Sequence, residues 1–118
     1  MTTPTKVTFK RMTASPALEA RIVELTERLT HVHDGVRRCD VVVELPHRHH
    51  RRGRAFHVRV HLHLDGPVAD VIVSHDPGLD VAHDDPYVAV RDAFAAARRQ
   101  LQDLVGRQRD AADALQTA

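Results

Sequence analysis

The sequence predicts an α+β fold: a two-layer sandwich whose four-stranded sheet carries two helices on one face, in the order β-α-β-β-β-α. Three observations carry this expectation. Phe56, Val58, Val60, Leu62 and Leu64 alternate strictly with His57, Arg59, His61, His63 and Asp65, giving a strand with one core face and one wet face. Leu18, Ile22, Leu25 and Leu29 stand four, three and four residues apart, the apolar stripe of an amphipathic helix. Tyr87, Val90, Phe94, Ala97, Leu101 and Leu104 repeat that helical spacing in the last third of the chain.

The other elements follow from local chemistry. Val7-Thr8-Phe9-Lys10 alternates apolar and polar residues, a short first strand. Ser15-Pro16-Ala17-Leu18-Glu19 combines an N-cap serine, a proline at the first helical position and an early acid, so the first helix opens there; Asp34-Gly35 ends it. Cys39, Val41, Val43 and Leu45 alternate with Asp40, Val42 and Glu44, a second strand. After the long third strand, Asp65-Gly66-Pro67 turns the chain into a fourth over about Val68–His75. This half-wet sheet is expected to be antiparallel. Residues 74–84 read as a loop rich in Asp, Pro and Gly, and Asp84-Asp85-Pro86 caps the final helix. Past Gly106 the chain turns polar, so residues 1–110 are expected to form one domain and residues 111–118 a disordered tail.

Composition narrows the function classes. The chain has 118 residues, 42% apolar and 28% charged, an ordinary globular profile with room for one core. Four aromatic residues (Phe9, Phe56, Tyr87, Phe94) leave no ladder for stacking bases. Cys39 is the lone cysteine, which removes disulfides and cysteine-ligated zinc and fits a reducing compartment; its inward alternation makes it a small core residue rather than a nucleophile. No apolar run approaches the roughly 20 residues of a membrane span, and Met1–Lys10 has no signal-peptide core. Ser74-His75-Asp76 has the letters of a catalytic triad, but three consecutive residues point in different directions. There is no glycine loop for phosphates. An enzyme is not expected, and neither is a small-molecule substrate or cofactor.

Charge is segregated although the net is only +1. Residues 47–63 hold Arg48, Arg51, Arg52, Arg54 and Arg59 with six of the ten histidines and no acid. Residues 64–85 hold six aspartates and no lysine or arginine. The basic block attracts polyanions or is simply solvated surface. Within it His57, His61 and His63 share the wet face of the third strand, and a zinc or nickel site there is conceivable, with His47, His49 and His50 close in sequence. A dedicated site needs convergent ligands and orienting carboxylates, and the interleaved arginines repel a dication, so solvated histidines are the simpler reading and no metal is assigned. On the final helix Arg91, Arg98, Gln102 and Arg109 lie within about 40° in projection, with Arg99 and Arg107 further round. Arg21 and Arg28 flank the first helix's stripe. Such rows suit phosphate backbones, since guanidinium pairs bidentately with phosphate oxygens. Helix solubility with pairing to Asp92, Asp103 and Asp110 explains them equally.

The segment Asp85-Pro86-Tyr87-Val88-Ala89-Val90, continuing to Phe94 and Arg99-Gln100-Leu101, resembles the final helix of the ribosome hibernation promoting factors, the family that includes the ribosome-associated translation inhibitor. The strand-to-helix opening at Ser15-Pro16-Ala17-Leu18-Glu19 and the β-α-β-β-β-α order resemble that family too, over about Lys6 to Arg109. The resemblance implies a cytoplasmic factor that grips 16S-type ribosomal RNA on the small subunit, fills the mRNA and tRNA channel and silences idle ribosomes under stress, without chemistry and without a membrane. It places the family's basic helix positions on Arg28, Arg99 and Arg107. Ala96, Asp103 and Val105 stand where lysines are expected, and Arg91 replaces an acid. The resemblance also implies a monomer off the ribosome, lacking the C-terminal dimerisation domain of long-form relatives. Two rivals stand beside it: a histidine-rich metal-binding module, and a protein-interaction domain of the same fold that has lost ribosome binding.

Overall fold

The computed structural model describes residues 3–33, 35–45, 56–65, 70–75 and 85–116, with residues 75 and 108–116 as backbone only. Its elements are β1 (Thr5–Lys10), α1 (Pro16–Thr30), β2 (Val36–Glu44), β3 (His57–Leu64), β4 (Val71–His75) and α2 (Pro86–Gln116). They form one sheet in the order β1-β2-β3-β4, with α1 over β1 and β2, α2 over β3 and β4, and the two helices in contact. The expected α+β sandwich is therefore the fold. The sheet is mixed rather than antiparallel: β1 runs parallel to β2, and β2-β3 and β3-β4 are antiparallel. A strand-helix-strand crossover forces this, because α1 carries the chain back across the sheet before β2 begins beside β1.

Local signals place the helix starts where the sequence puts them. The Ser15 hydroxyl accepts the Leu18 N–H at 3.2 Å, with Pro16 opening α1. Asp85 does the same for α2, accepting the Tyr87 N–H at 2.9 Å ahead of Pro86. The ends differ from expectation. α1 stops at Thr30, where the His31 N–H bonds back to Arg28 and Leu29, before Asp34-Gly35 is reached. α2 passes through Gly106 and stays helical to Gln116, so the tail expected over 111–118 is helix as far as that residue. Alanine, glutamine and arginine propagate a helix well even where no apolar stripe continues.

The core lies between the layers. Cys39, Val41 and Val43 of β2, Val58, Val60 and Leu62 of β3, and Val71 and Val73 of β4 all face the helices and are buried. The strict alternation of β3 holds from Phe56 to Leu64. In β2 a register irregularity between Val36 and Arg38 inserts Arg37, which pairs with Asp65 at 3.0 Å and keeps both Val36 and Cys39 inward. The inward face of α2 is Ala89, Val90, Ala93, Phe94, Ala97 and Leu101. Tyr87, expected on that stripe, is 44% exposed. The alanines let the helix sit close to the sheet and shift the stripe's centre away from Tyr87. On α1, Leu18, Ile22 and Leu29 are buried, Leu25 is half-buried, and Thr26 takes a fully buried place between them. Its hydroxyl donates to the Ile22 carbonyl at 3.0 Å, which satisfies the polar atom inside its own helix.

Cys39 is fully buried, as its alternation indicates. Burial pushes its thiol up to about 11; the neighbouring Thr26 hydroxyl pulls the other way and the Asp40 charge adds a smaller push upward. The folded-state value lies above the ordinary 9.0, so the protein holds more protons than the unfolded chain between those two values. This contribution to stability is intact below pH 9.0 and is lost as pH rises toward about 11. Below that window the thiol is protonated and shielded from solvent. Iodoacetamide at pH 8 is expected to alkylate Cys39 only slowly in the native protein and completely in urea, followed by mass; equal rates in the two states would refute the burial.

Candidate nucleic-acid interface

The arginines predicted to bind RNA do not form one surface. Arg28 of α1 and Arg91, Arg98, Arg99 and Arg107 of α2 are exposed on the helix layer, with Arg21 half-buried beside them; Arg109 is on α2 with its side chain outside the described residues. Arg59 of β3 is exposed on the opposite face of the sheet, since its neighbours Val58 and Val60 point to the helices. Arg48, Arg51, Arg52 and Arg54, with His47, His49 and His50, lie outside the described residues. The sheet itself divides the set into two faces.

The helix-layer arginines differ in what already holds them. Glu24 Oε1 takes a hydrogen bond from Arg21 Nη1 at 2.7 Å and another from Arg28 Nη2 at 2.8 Å, so one carboxylate pins two guanidinium groups. The three residues stand on one flank of α1 at helical spacings of three and four. Arg91 reaches back to Asp92 Oδ1 at 3.3 Å. Among the described residues, no acid lies within ion-pair reach of Arg98, Arg99 or Arg107. Unpaired guanidinium groups keep their fork of donors free for an incoming oxyanion. These three are the most available cations of the helix layer.

The sheet's wet face is organised differently, and sequence reasoning missed how. His61 Nε2 lies 3.0 Å from Asp70 Oδ2, and His63 Nε2 lies 2.8 Å from Asp40 Oδ2. Asp40 also takes Arg38 Nη2 on both oxygens, at 3.1 and 3.0 Å. Burial alone pushes the Asp40 carboxyl up, but hydrogen bonds from His63 and Arg38 together with their charges outweigh it and hold the pKa below the ordinary value. Asp70 is also held low, chiefly by the Leu64 N–H it accepts at 3.1 Å and then by His61. His57 stands apart, 4.0 Å from Glu44. The histidines of β3 are thus matched by carboxylates from β2 and from just ahead of β4, not left as a basic patch. The alternation of β2 already puts Asp40 on the wet face; only the register, which sets Asp40 against His61 and Arg38 against His63, makes it a partner.

Among the described residues no helix is long and apolar enough to cross a membrane. A family model described as "Sigma 54 modulation protein / S30EA ribosomal protein" matches residues 5–109. Solved structures similar in fold include the following two. The Protein Y N-terminal domain of Thermus thermophilus superposes with a TM-score of 0.61 at 17% identity, covering 87% of this chain and 98% of that one. A ribosomal subunit interface protein from Coxiella burnetii superposes with a TM-score of 0.56 at 19% identity, covering 86% of this chain and 97% of that one. No curated protein matches.

Proposed function

This chain belongs to the sigma 54 modulation protein / S30EA ribosomal protein family, and on that premise we propose that it docks on the small ribosomal subunit through ribosomal RNA and holds idle ribosomes silent. The observation that carries the reading is the set of exposed arginines on α2 that no acid among the described residues reaches: Arg98, Arg99 and Arg107. Two of these, Arg99 and Arg107, are positions where the family resemblance puts basic residues. The family's remaining basic position, Arg28 on α1, is held by Glu24, so it reaches phosphate only by exchanging one carboxylate for another anion. The fold supports the assignment because a helix set on a packed sheet presents its guanidinium groups at fixed spacings, which suits a backbone of regularly spaced phosphates. With few aromatics, recognition rests on phosphate position and RNA shape rather than on stacked bases. Inhibition is by occupancy of the subunit's channel, without a chemical step, and the protein acts in the cytoplasm where ribosomes work.

Sedimentation of the pure protein with isolated small subunits tests this. The protein is expected to pellet with subunits at low salt and to be released as salt rises. Three phosphate contacts alone give a slope of log affinity against log salt of about −2 to −3. A fourfold rise in salt then weakens binding by roughly 15- to 60-fold. Addition to a cell-free translation reaction is expected to lower protein output at the same concentrations. Absence of salt-sensitive pelleting sinks the proposal and leaves a protein-interaction domain of the same fold.

A further inference from the structure

We propose that His61, His63 and Asp70 form a site for a divalent first-row transition metal ion of the zinc class, with Asp40 as its orienting carboxylate. The site lies on the sheet face away from the arginines of the proposed ribosome contact and does not depend on that reading.

Both nitrogens of the His63 ring face carboxylates: Nε2 is 2.8 Å from Asp40 Oδ2, and Nδ1 is 3.6 Å from Asp70 Oδ2. A neutral imidazole carries one N–H. When Nε2 donates to Asp40, Nδ1 presents a bare lone pair toward the Asp70 oxygen. His61 Nε2 points at the same oxygen from 3.0 Å. In the metal-free site His61 donates an N–H there; once an ion takes the place of that proton, three electron-pair donors converge on one small volume, and one ligand atom from each residue lies within 4.8 Å of the others. In tetrahedral coordination at about 2.0–2.1 Å, ligand atoms stand roughly 3.3 Å apart. The observed 3.0 and 3.6 Å bracket that edge.

Each part has its own support. The two imidazoles stack with ring centroids 4.0 Å apart, closer than the roughly 6–7 Å spacing of alternate residues along a strand, because both lean toward Asp70. Asp70 is steadied by the Leu64 N–H on Oδ1, which leaves Oδ2 for the ion. Asp40, already neutralised by both contacts from Arg38, is spare as a ligand but is placed to fix the tautomer of His63. A carboxylate behind a histidine ligand is the usual outer partner of zinc sites. Among the described residues the guanidinium in contact with the cluster is that of Arg38, and its charge is offset by the Asp40 carboxylate that it binds, which weakens its repulsion of a dication. Two imidazoles and one carboxylate favour zinc, cobalt or nickel over calcium or magnesium, whose ligands are oxygens. His61, His63 and Asp70 are each partly exposed, so water or an anionic ligand is available to complete the shell.

Untagged protein is loaded with zinc chloride, dialysed against metal-free buffer and analysed for metal. About one zinc per chain is expected in the wild type and none in His61→Ala/His63→Ala. Asp40→Asn is expected to retain the site with 10- to 100-fold weaker affinity by competition with a chelator. Cobalt chloride is expected to give the intense visible bands of a tetrahedral ion, lost in the same double variant. Asp70→Asn removes one ligand with little change of shape, so it tests the site even if the double variant fails to fold. Zinc held by the double variant, or lost from His47→Ala/His49→Ala/His50→Ala, assigns the metal to other histidines and overturns the proposal. A wild type that retains none overturns it outright.

Discussion

Arg98→Glu combined with Arg99→Glu is expected to weaken binding to small subunits about 100-fold or more at low salt. A hydrogen bond to a charged group contributes about 1.5–3 kcal/mol when formed, so losing two costs about 3–6 kcal/mol before the new repulsion is counted. A tenfold change corresponds to about 1.4 kcal/mol, which puts the loss at two decades or beyond. The salt slope should flatten as well, by roughly 0.7–0.9 for each contact removed. Arg59→Glu serves as the contrast, since it reverses one charge on the opposite face of the sheet. Sedimentation at several salt concentrations measures all three quantities. If Arg59→Glu releases the protein and the double reversal does not, the sheet face is the interface and the assignment to α2 falls.

Leu62→Ala is expected to have the largest effect on the fold. Leu62 is fully buried in β3, in register with Cys39 on one side and Val71 on the other, beneath α2. Central strands cannot shift to fill a void without breaking ladders on both sides. Truncating a buried leucine costs about 2–5 kcal/mol. Small domains hold only about 5–15 kcal/mol in total. Urea unfolding is expected to show a midpoint far below that of the wild type with little change of slope. The neighbouring exposed residue gives the scale, since Arg59→Ala should stay within about 0.5 kcal/mol. A Leu62→Ala midpoint near that of the wild type would mean that β3 does not bury this face.

Much of this was open to reading from the amino acids because burial leaves a period. The β3 alternation, the α1 stripe and the caps at Ser15 and Asp85 are each local: the residues that signal them are those that form them. The lone cysteine's inward place follows from the same alternation. Where residues of low information entered the core, the period misled. Ala89 and Ala93 pass for surface helix formers, yet they lie against the sheet, and Tyr87 is displaced outward by them.

Partnership was the part that no local pattern could carry. The sequence by itself determined the number and kind of elements, the face each one buries, and which helices bear arginines. Only the tertiary structure decided that β1 runs parallel to β2, that Arg59 and Arg98 stand on opposite faces, and that Glu24 claims Arg21 and Arg28 while no acid among the described residues claims Arg98 or Arg99. It also decided that Asp40 meets His63 across 23 residues of chain and that Asp70 meets His61 across nine. The reason is physical. Hydrophobic burial imposes a repeat on every strand and helix, whereas an ion pair or a ligand set is a coincidence of side chains brought together by strand register.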